Sequence, residues 1–291
     1  MTGAAGWRAS PLRDYAHAMA EGAIGYIHGT HPEEQRRLAD MNALINAHSL
    51  AALAPKAGER LLDLGCGLGQ FARDVARASG VPAVGVELRD GQLARARALA
   101  AEAGEPELAD LRAGDAAAPP LQAGEWGTFD VVHARFLLEH VRDPLAVVRV
   151  MARAVRPGGR VVLEDDDHDV LRLWPEPAHL APVWRAYQRT YDRLGCDPVV
   201  GRRLVELLAA AGLSPRRIDL LPFGACSGDP RFEPLVRNLQ DILRGAREAI
   251  LATGGADGAT FDGALASLEV FARRRDAAFW YATAWAEGVR P

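Results

Sequence analysis

The chain has one lysine, Lys56, among its 34 basic residues, and three cysteines, Cys66, Cys196 and Cys226, that form no C-x-x-C pair. Spacing this wide suggests neither a disulfide framework nor a zinc site, and fits a reducing cytoplasm. No apolar run is long enough for a membrane span, and the start, MTGAAGWRASPLRDYA, has no signal-peptide core. A basic excess is also missing. Net charge is −4 and pI about 6.1, which disfavours a nucleic-acid partner, because binding phosphates needs a basic face. What remains is an ordinary globular composition, 49% hydrophobic and 25% charged over 291 residues.

From about Arg60, short β-type runs alternate with helical ones, the pattern of a parallel sheet with crossover helices. Expected strands are 60–64, 83–88, 108–113, 129–133 and 159–165. Asp90 caps a helix over 91–103, Asp143-Pro144 opens one to Val155, and a third spans 197–211. Late strands are expected at 217–221 and 279–287. Between them, 223–275 reads as helices interrupted by Gly254-Gly255. At the N-terminus, Thr30-His31-Pro32-Glu33 has capping-box spacing and opens a helix with Leu38, Met41, Leu44 and Ile45 on one face. The division expected is an N-terminal helical segment (1–54), an α/β core (55–222 and 276–291) and a helical insertion (223–275) that covers a substrate. The rival reading of the insertion is padding or a homodimer interface.

The stretch LLDLGCGLGQ sets Gly65, Gly67 and Gly69 directly after an apolar strand. Such a turn needs backbone that can bend sharply and approach a ligand closely. A dinucleotide fingerprint would place its third glycine at position 70, where the chain has Gln70, so the pyrophosphate pattern is absent. Glu87 ends the second strand 20 residues after Gly67, where a carboxylate can accept both hydroxyls of a ribose. Asp115 follows the third strand, where an acceptor can take an adenine amino group. Asp63, inside a strand, makes sense beside a cationic group. The implied ligand carries adenine, ribose and an ammonium, and no phosphate.

Taken with V-G-V-E-L (84–88), A-G-D-A (113–116), F-D-V-V-H-A-R-F-L-L-E-H-V (129–141) and R-P-G-G-R-V-V-L-E-D (156–165), the glycine stretch resembles the class I S-adenosylmethionine (SAM) dependent methyltransferases of the small-molecule type. The resemblance covers roughly 56–165. It implies a Rossmann-like α/β sheet of parallel strands with an antiparallel last strand. It also implies SAM contacts from Asp63, Gly65, Gly67, Gly69 and Gln70 at the methionine end, Glu87 and Leu88 at the ribose, and Asp115 and Ala116 at the adenine. His133, Ala134 and Arg135 should lie near the reacting methyl, and segments ahead of the N-terminal helix often fold over the SAM site in related enzymes, which makes Tyr26 a candidate cofactor contact.

His133 and His168, at strand carboxyl ends, are the two candidates for a general base, whereas His140 reads as a structural or cofactor-shell residue. The run Glu164-Asp165-Asp166-Asp167-His168-Asp169 reads as a solvated acidic loop with no metal role. The position after the fourth strand that is acidic in cation-dependent relatives is His133 here. Phe279-Trp280-Tyr281 reads as strand core. The expected reaction is methyl transfer to O, N or C of a small, partly apolar or aromatic metabolite in natural-product biosynthesis. Its rivals are a non-catalytic SAM-binding scaffold, a macromolecule methyltransferase and a dehydrogenase. His133-Ala134-Arg135-Phe136 lacks the (Asp/Asn)-Pro-Pro-aromatic motif of exocyclic-amine enzymes, which counts against nucleic acid as acceptor.

Overall fold

The computed structural model describes residues 45–291, beginning in a helix (α1, 45–53). The strands are β1 (Leu61–Leu64), β2 (Ala83–Glu87), β3 (Ala109–Ala113), β4 (Phe129–Arg135), β5 (Val155–Asp165), β6 (Arg172–Trp174), β7 (Ser214–Cys226) and β8 (Ala278–Val289). The helices are α2 (Gln70–Ser79), α3 (Asp90–Glu102), α4 (Pro144–Ala154), α5 (Leu180–Asp192), α6 (Leu204–Ala210), α7 (Phe232–Gly245), α8 (Arg247–Ala252) and α9 (Gly258–Ala272).

Strands β1 to β5 pair in parallel in the order β3-β2-β1-β4-β5, and β8 adds antiparallel to β5. The long β8 also pairs antiparallel with β7 along its length and with β6 at its start. The parallel sheet with an antiparallel last strand is therefore as expected. Its strands are apolar on both faces because helices cover both. Leu62, Leu64, Val132, Ala134 and Leu163 pack towards α4 and α6, while Leu61, Val131, Val162 and Trp285 pack towards α2 and the end of α1.

The punctuation of the sequence is visible. Asp143 Oδ1 accepts from the Ala146 N–H and Pro144 occupies the first turn of α4, a cap with a helix-compatible φ. Four expectations need correction. Asp90 does not cap α3 but lies in its first turn, after Arg89, with no side-chain cap bond. The helix expected over 197–211 is a 3-10 turn (Val200–Arg203) followed by the short α6. The strand expected at 217–221 is β7, thirteen residues long, because β8 offers a continuous edge from Ala278 to Val289. Helix α5 was not foreseen at all.

That helix changes the account of the insertion. Leu180, Val183, Tyr187 and Tyr191 of α5 share one buried cluster with Phe232, Leu239, Phe261 and Phe271 of the helices after β7, and with Phe279 of β8. The late helices are thus fastened to the chain between β5 and α6 by a common core.

Candidate functional site

Strand β1 delivers the glycine turn to the carboxyl end of the sheet. The N–H groups of Gly65 and Cys66 both bond to Val86 O, which locks the turn against β2. Gly67 sits at φ 53° and Gly69, the N-cap of α2, at φ 65°, both in the left-handed region that side chains disfavour. A Cβ on Gly69 would stand 3.1 Å from Leu111 Cδ2, so the backbone here also passes close to β3. The turn lies at the carboxyl ends of β1 and β2, beside the reversal in strand order between β1 and β4 where open α/β sheets form a crevice for ligands, and the N–H groups of Gly65, Cys66, Gly67 and Gly69 are bonded within the protein.

Glu87 closes one side of that crevice. One carboxylate oxygen accepts from the Gly67 N–H at 3.0 Å and the other from the Arg89 N–H at 3.0 Å. The side chain is thereby fixed against the glycine turn, with lone pairs left for a ligand's hydroxyls. Leu88, next to it, is 67% exposed, an apolar surface beside the carboxylate. Asp115 is exposed and its Oδ1 accepts from the Ala117 N–H at 2.8 Å, while Ala116 is buried in the core. Gln70 leads α2, and its Oε1 is buried without a hydrogen-bond partner. Of the residues expected at the cofactor, Gly67 and Glu87 are joined directly by a hydrogen bond, Gly65 and Gly69 share their turn, and Leu88 and Asp115 follow the ends of β2 and β3, whereas Gln70 lines a hollow with Asn46, Leu50 and Arg73 of α1 and α2. Tyr26 lies outside the described residues.

Asp63 and His133 stand side by side in the β1–β4 register, with Asp63 Oδ1 2.8 Å from His133 Nδ1. The basic neighbour that a buried acid in β1 requires is thus an imidazole of the same protein. His133 is 1% exposed, its ring 4.5 Å from that of Phe71, and its Nε2 has no partner. Held beneath α2 in this way, His133 is not presented at the strand mouth as a base would be. Ala134 faces the opposite core, so only its backbone can serve the crevice. Arg135 points to α1, donating to Ser49 Oγ at 3.0 Å and to Asn46 Oδ1 at 2.5 Å. Ser49 in turn donates to Glu164 Oε2 at 2.7 Å, and Thr283 donates to Glu164 Oε1 at 2.8 Å. This chain of bonds fastens α1 across the ends of β4, β5 and β8.

The acidic run is not a solvated loop. Glu164 and Asp165 are fully buried and His168 is 5% exposed. Asp165 Oδ2 accepts from the Leu137 and Leu138 N–H groups at 3.1 and 2.7 Å, and its Oδ1 from the Asp166 N–H at 3.0 Å, so it organises the turn after β4. His168 Nδ1 lies 3.0 Å from Tyr281 Oη, and its Nε2 lies 3.3 Å from Tyr191 Oη and 3.2 Å from Glu139 Oε2. Burial works against a charge on His168, but the Glu139 carboxylate outweighs it and raises the imidazole's pKa. Burial raises Asp165 and Asp166, with the Glu139 charge adding to both. Trp184 and Tyr187 stack over this group, their ring centres 5.0 Å apart. Tyr281 therefore belongs to a polar, aromatic-walled cluster, whereas Phe279 is core and Trp280 is 51% exposed.

Glu139, Asp166, Tyr187, Tyr191 and Tyr281 were not singled out as site residues from the sequence. The available signal was two carboxylates, Glu164 and Asp165, inside an apolar strand pattern. Polar groups in such a place must have partners nearby.

The family described as "methyltransferase domain" matches residues 34–217, more than half of the chain. The chain belongs to this family. The methyltransferase domain is 34% identical over 153 residues to 27-O-demethylrifamycin SV methyltransferase of Amycolatopsis mediterranei, a match covering 53% of each chain. It is 41% identical over 109 residues to a ubiquinone biosynthesis O-methyltransferase of Albidiferax ferrireducens, covering 38% of this chain and 42% of that protein. The chain thus spans about half the length of the curated relatives it matches. Among solved structures, the (4+2)-cyclase SpnF superposes with a TM-score of 0.54 at 22% identity, over 96% of this chain and 93% of that one, a likeness of fold. No helix of the described residues is long and apolar enough to cross a membrane.

Proposed function

We propose that this methyltransferase domain transfers a methyl group from SAM to an O, N or C atom of a small, partly apolar or aromatic metabolite in secondary metabolism. The observation that carries the first half is Glu87, pinned by Gly67 N–H and Arg89 N–H beside a crevice floored by left-handed glycines. A ribose fits those carboxylate lone pairs. An adenine would fit beside the exposed Leu88 and Asp115, and Gln70 stands where a dinucleotide fingerprint would need its third glycine for a pyrophosphate. SAM supplies the reactive methyl and its own neutral leaving group, so the chain's work is to orient, to exclude water and to receive a proton where the acceptor has one.

The second half rests on what surrounds the strand ends. Aromatic side chains of α5 and β8, among them Trp184, Tyr187, Tyr191 and Tyr281, line the region beyond β4 and β5, with the late helices packed behind them. Of the two histidines expected as bases, only His168 lies among these groups. Residues 223–275, with α5, are read as the cover over the acceptor, and α1 with its Arg135–Ser49–Glu164 bonds as the cover over the cofactor side.

The fold is also carried by a cyclase, and fold alone does not fix a reaction. The test therefore measures methyl transfer itself. The full chain is incubated with methyl-labelled SAM and a panel of phenols, hydroxyquinones and aromatic amines, and the products are read by mass. A labelled product from at least one apolar or aromatic acceptor is expected. SAM binding without turnover on any acceptor class would favour a non-catalytic SAM-binding protein instead.

A further inference from the structure

Three side chains that the cofactor crevice does not use meet beyond the ends of β4 and β5. Glu139 comes from the 3-10 turn after β4, Asp166 follows the last residue of β5, and His168 opens the next turn. One donor atom of each lies within 4.8 Å of the other two. The Oδ1 of Asp166 is buried with no hydrogen-bond partner, and the Oε2 of Glu139, a residue 3% exposed, is buried with the His168 ring 3.2 Å away as its neighbour. A carboxylate oxygen without a donor in such a place is costly unless something positive completes it.

Among the described residues, the basic groups that face Glu139 are two imidazoles, His168 Nε2 at 3.2 Å from Oε2 and His140 Nε2 at 3.4 Å from Oε1, and no arginine or lysine reaches the cluster. Asp165 takes the backbone donors for itself. Arg202 is spent on Asp167 and Asp169 at the exposed side of the same loop. His168 is a single imidazole facing two carboxylates.

We propose that Glu139, Asp166 and His168 form a binding site for one divalent cation, of the Mn²⁺ or Zn²⁺ type. Two carboxylates and a neutral imidazole balance a double charge, and a mixed oxygen and nitrogen donor set suits these ions better than Ca²⁺. Donors at roughly 2.0–2.2 Å from an ion are about 3.0–3.4 Å from their neighbours. Glu139 Oε2 already stands 3.2 Å from His168 Nε2, whereas Asp166 comes no nearer to the His168 ring than 4.0 Å and has to close in on the ion. The orientation of the ring is also prepared. Nδ1 is held by Tyr281 Oη at 3.0 Å, and the backbone carbonyl of His168 accepts from Trp184 Nε1 at 2.9 Å, so Nε2 is the nitrogen turned to Glu139. This departs from the expectation of a chain without metal ligands and makes His168 a ligand in place of a base. The ion would lie beside the acceptor region, where it can polarise an acceptor oxygen; only that use rests on the proposed methyl transfer, whereas cation binding stands apart from it.

The experiment uses the full chain, stripped with EDTA and titrated with MnCl₂ while free Mn²⁺ is followed by electron paramagnetic resonance. S-adenosylhomocysteine binding and near-ultraviolet circular dichroism are measured alongside as controls of folding. One Mn²⁺ per chain is expected, with affinity at least roughly tenfold lower in Asp166→Asn and in Glu139→Gln, and unchanged in Asp169→Asn, an exposed acid of the same loop. Replacing Mn²⁺ by Co²⁺ gives a second readout, visible bands that change in His168→Gln. Retention of no Mn²⁺ by the folded parent, or equal retention in the parent and both carboxylate variants, overturns the site. If S-adenosylhomocysteine binds and Mn²⁺ does not, the cation site alone fails; if Mn²⁺ binds and S-adenosylhomocysteine does not, the cofactor assignment alone fails.

Discussion

Single residues show how differently chemistry and packing use the same short stretch. Cys66 lies between two glycines of the cofactor turn, yet it is a core residue, 9% exposed, and a Cβ on Gly85 would meet its Sγ at 2.9 Å. Burial, with the Asp63 and Glu87 charges adding to it, pushes its thiol far above the usual range. A thiol reagent at neutral pH should therefore label the exposed Cys226 quickly and leave Cys66 unreacted until the chain unfolds. Mass mapping after partial labelling reads this directly, and rapid labelling of Cys66 in the folded chain would contradict the buried turn. Glycines divide in the same way. Gly91 has open space where a Cβ would stand and lies in the first turn of α3, so Gly91→Ala should stabilise by about 0.4–1 kcal/mol through the unfolded chain. Gly201 donates its N–H to Asp166 O at 2.9 Å, and a Cβ there would stand 2.8 Å from the same oxygen. Gly201→Ala should cost roughly 1–3 kcal/mol, because backbone on both sides must move. Urea melts of the two variants check both signs.

Elements were legible in the sequence where local signals and sheet position agree. Strands β1 to β5 were readable within a few residues because each is an apolar run bounded by glycine, proline or a cap, and α4 because Asp143-Pro144 marks its start. The glycine turn was legible for the same reason, since it is fixed by neighbouring strands, and with it the cofactor class. Helix α5 was missed because its apolar face, Leu180, Val183, Tyr187 and Tyr191, is filled by residues from 232–279, a partnership set by tertiary packing. The role of His133 was also beyond the sequence, because it depends on the β1–β4 register that puts it beside Asp63. The shared core predicts that the late helices are not a detachable lid. Replacing Asp229–Asp276 with a Gly/Ser linker would bare the apolar face of α5. The expected outcome is a lower melting temperature and apolar-dye binding, with any remaining folded fraction keeping its cofactor crevice. A deletion variant that melts like the parent would show that α5 does not depend on these helices.

Across the whole molecule, charge is arranged in local pairs that make folding sensitive to acid. Glu125 joins β3 to the turn before β4. It accepts from Arg112 Nη1 at 2.7 Å and Nη2 at 2.9 Å, and from Arg60 Nη2 at 3.0 Å. The Arg112 hydrogen bonds, resisted by burial, hold its carboxyl down at about 2. A folded-state value below the unfolded one means stability that is complete above about pH 4.5 and lost as pH falls towards 2. Glu125→Gln should flatten the fall in melting temperature over that window and leave its slope above pH 5 unchanged. The central claim, however, concerns the crevice around Glu87, and calorimetry tests it most directly. Titrating the full chain with S-adenosylhomocysteine should show one site per chain, with no comparable heat from NAD. Each charge-assisted bond to the ribose contributes about 1.5–3 kcal/mol, so Glu87→Ala should weaken binding by at least roughly tenfold in a chain that still melts cooperatively. Binding unchanged in a folded Glu87→Ala variant, or NAD bound in place of S-adenosylhomocysteine, would contradict the account.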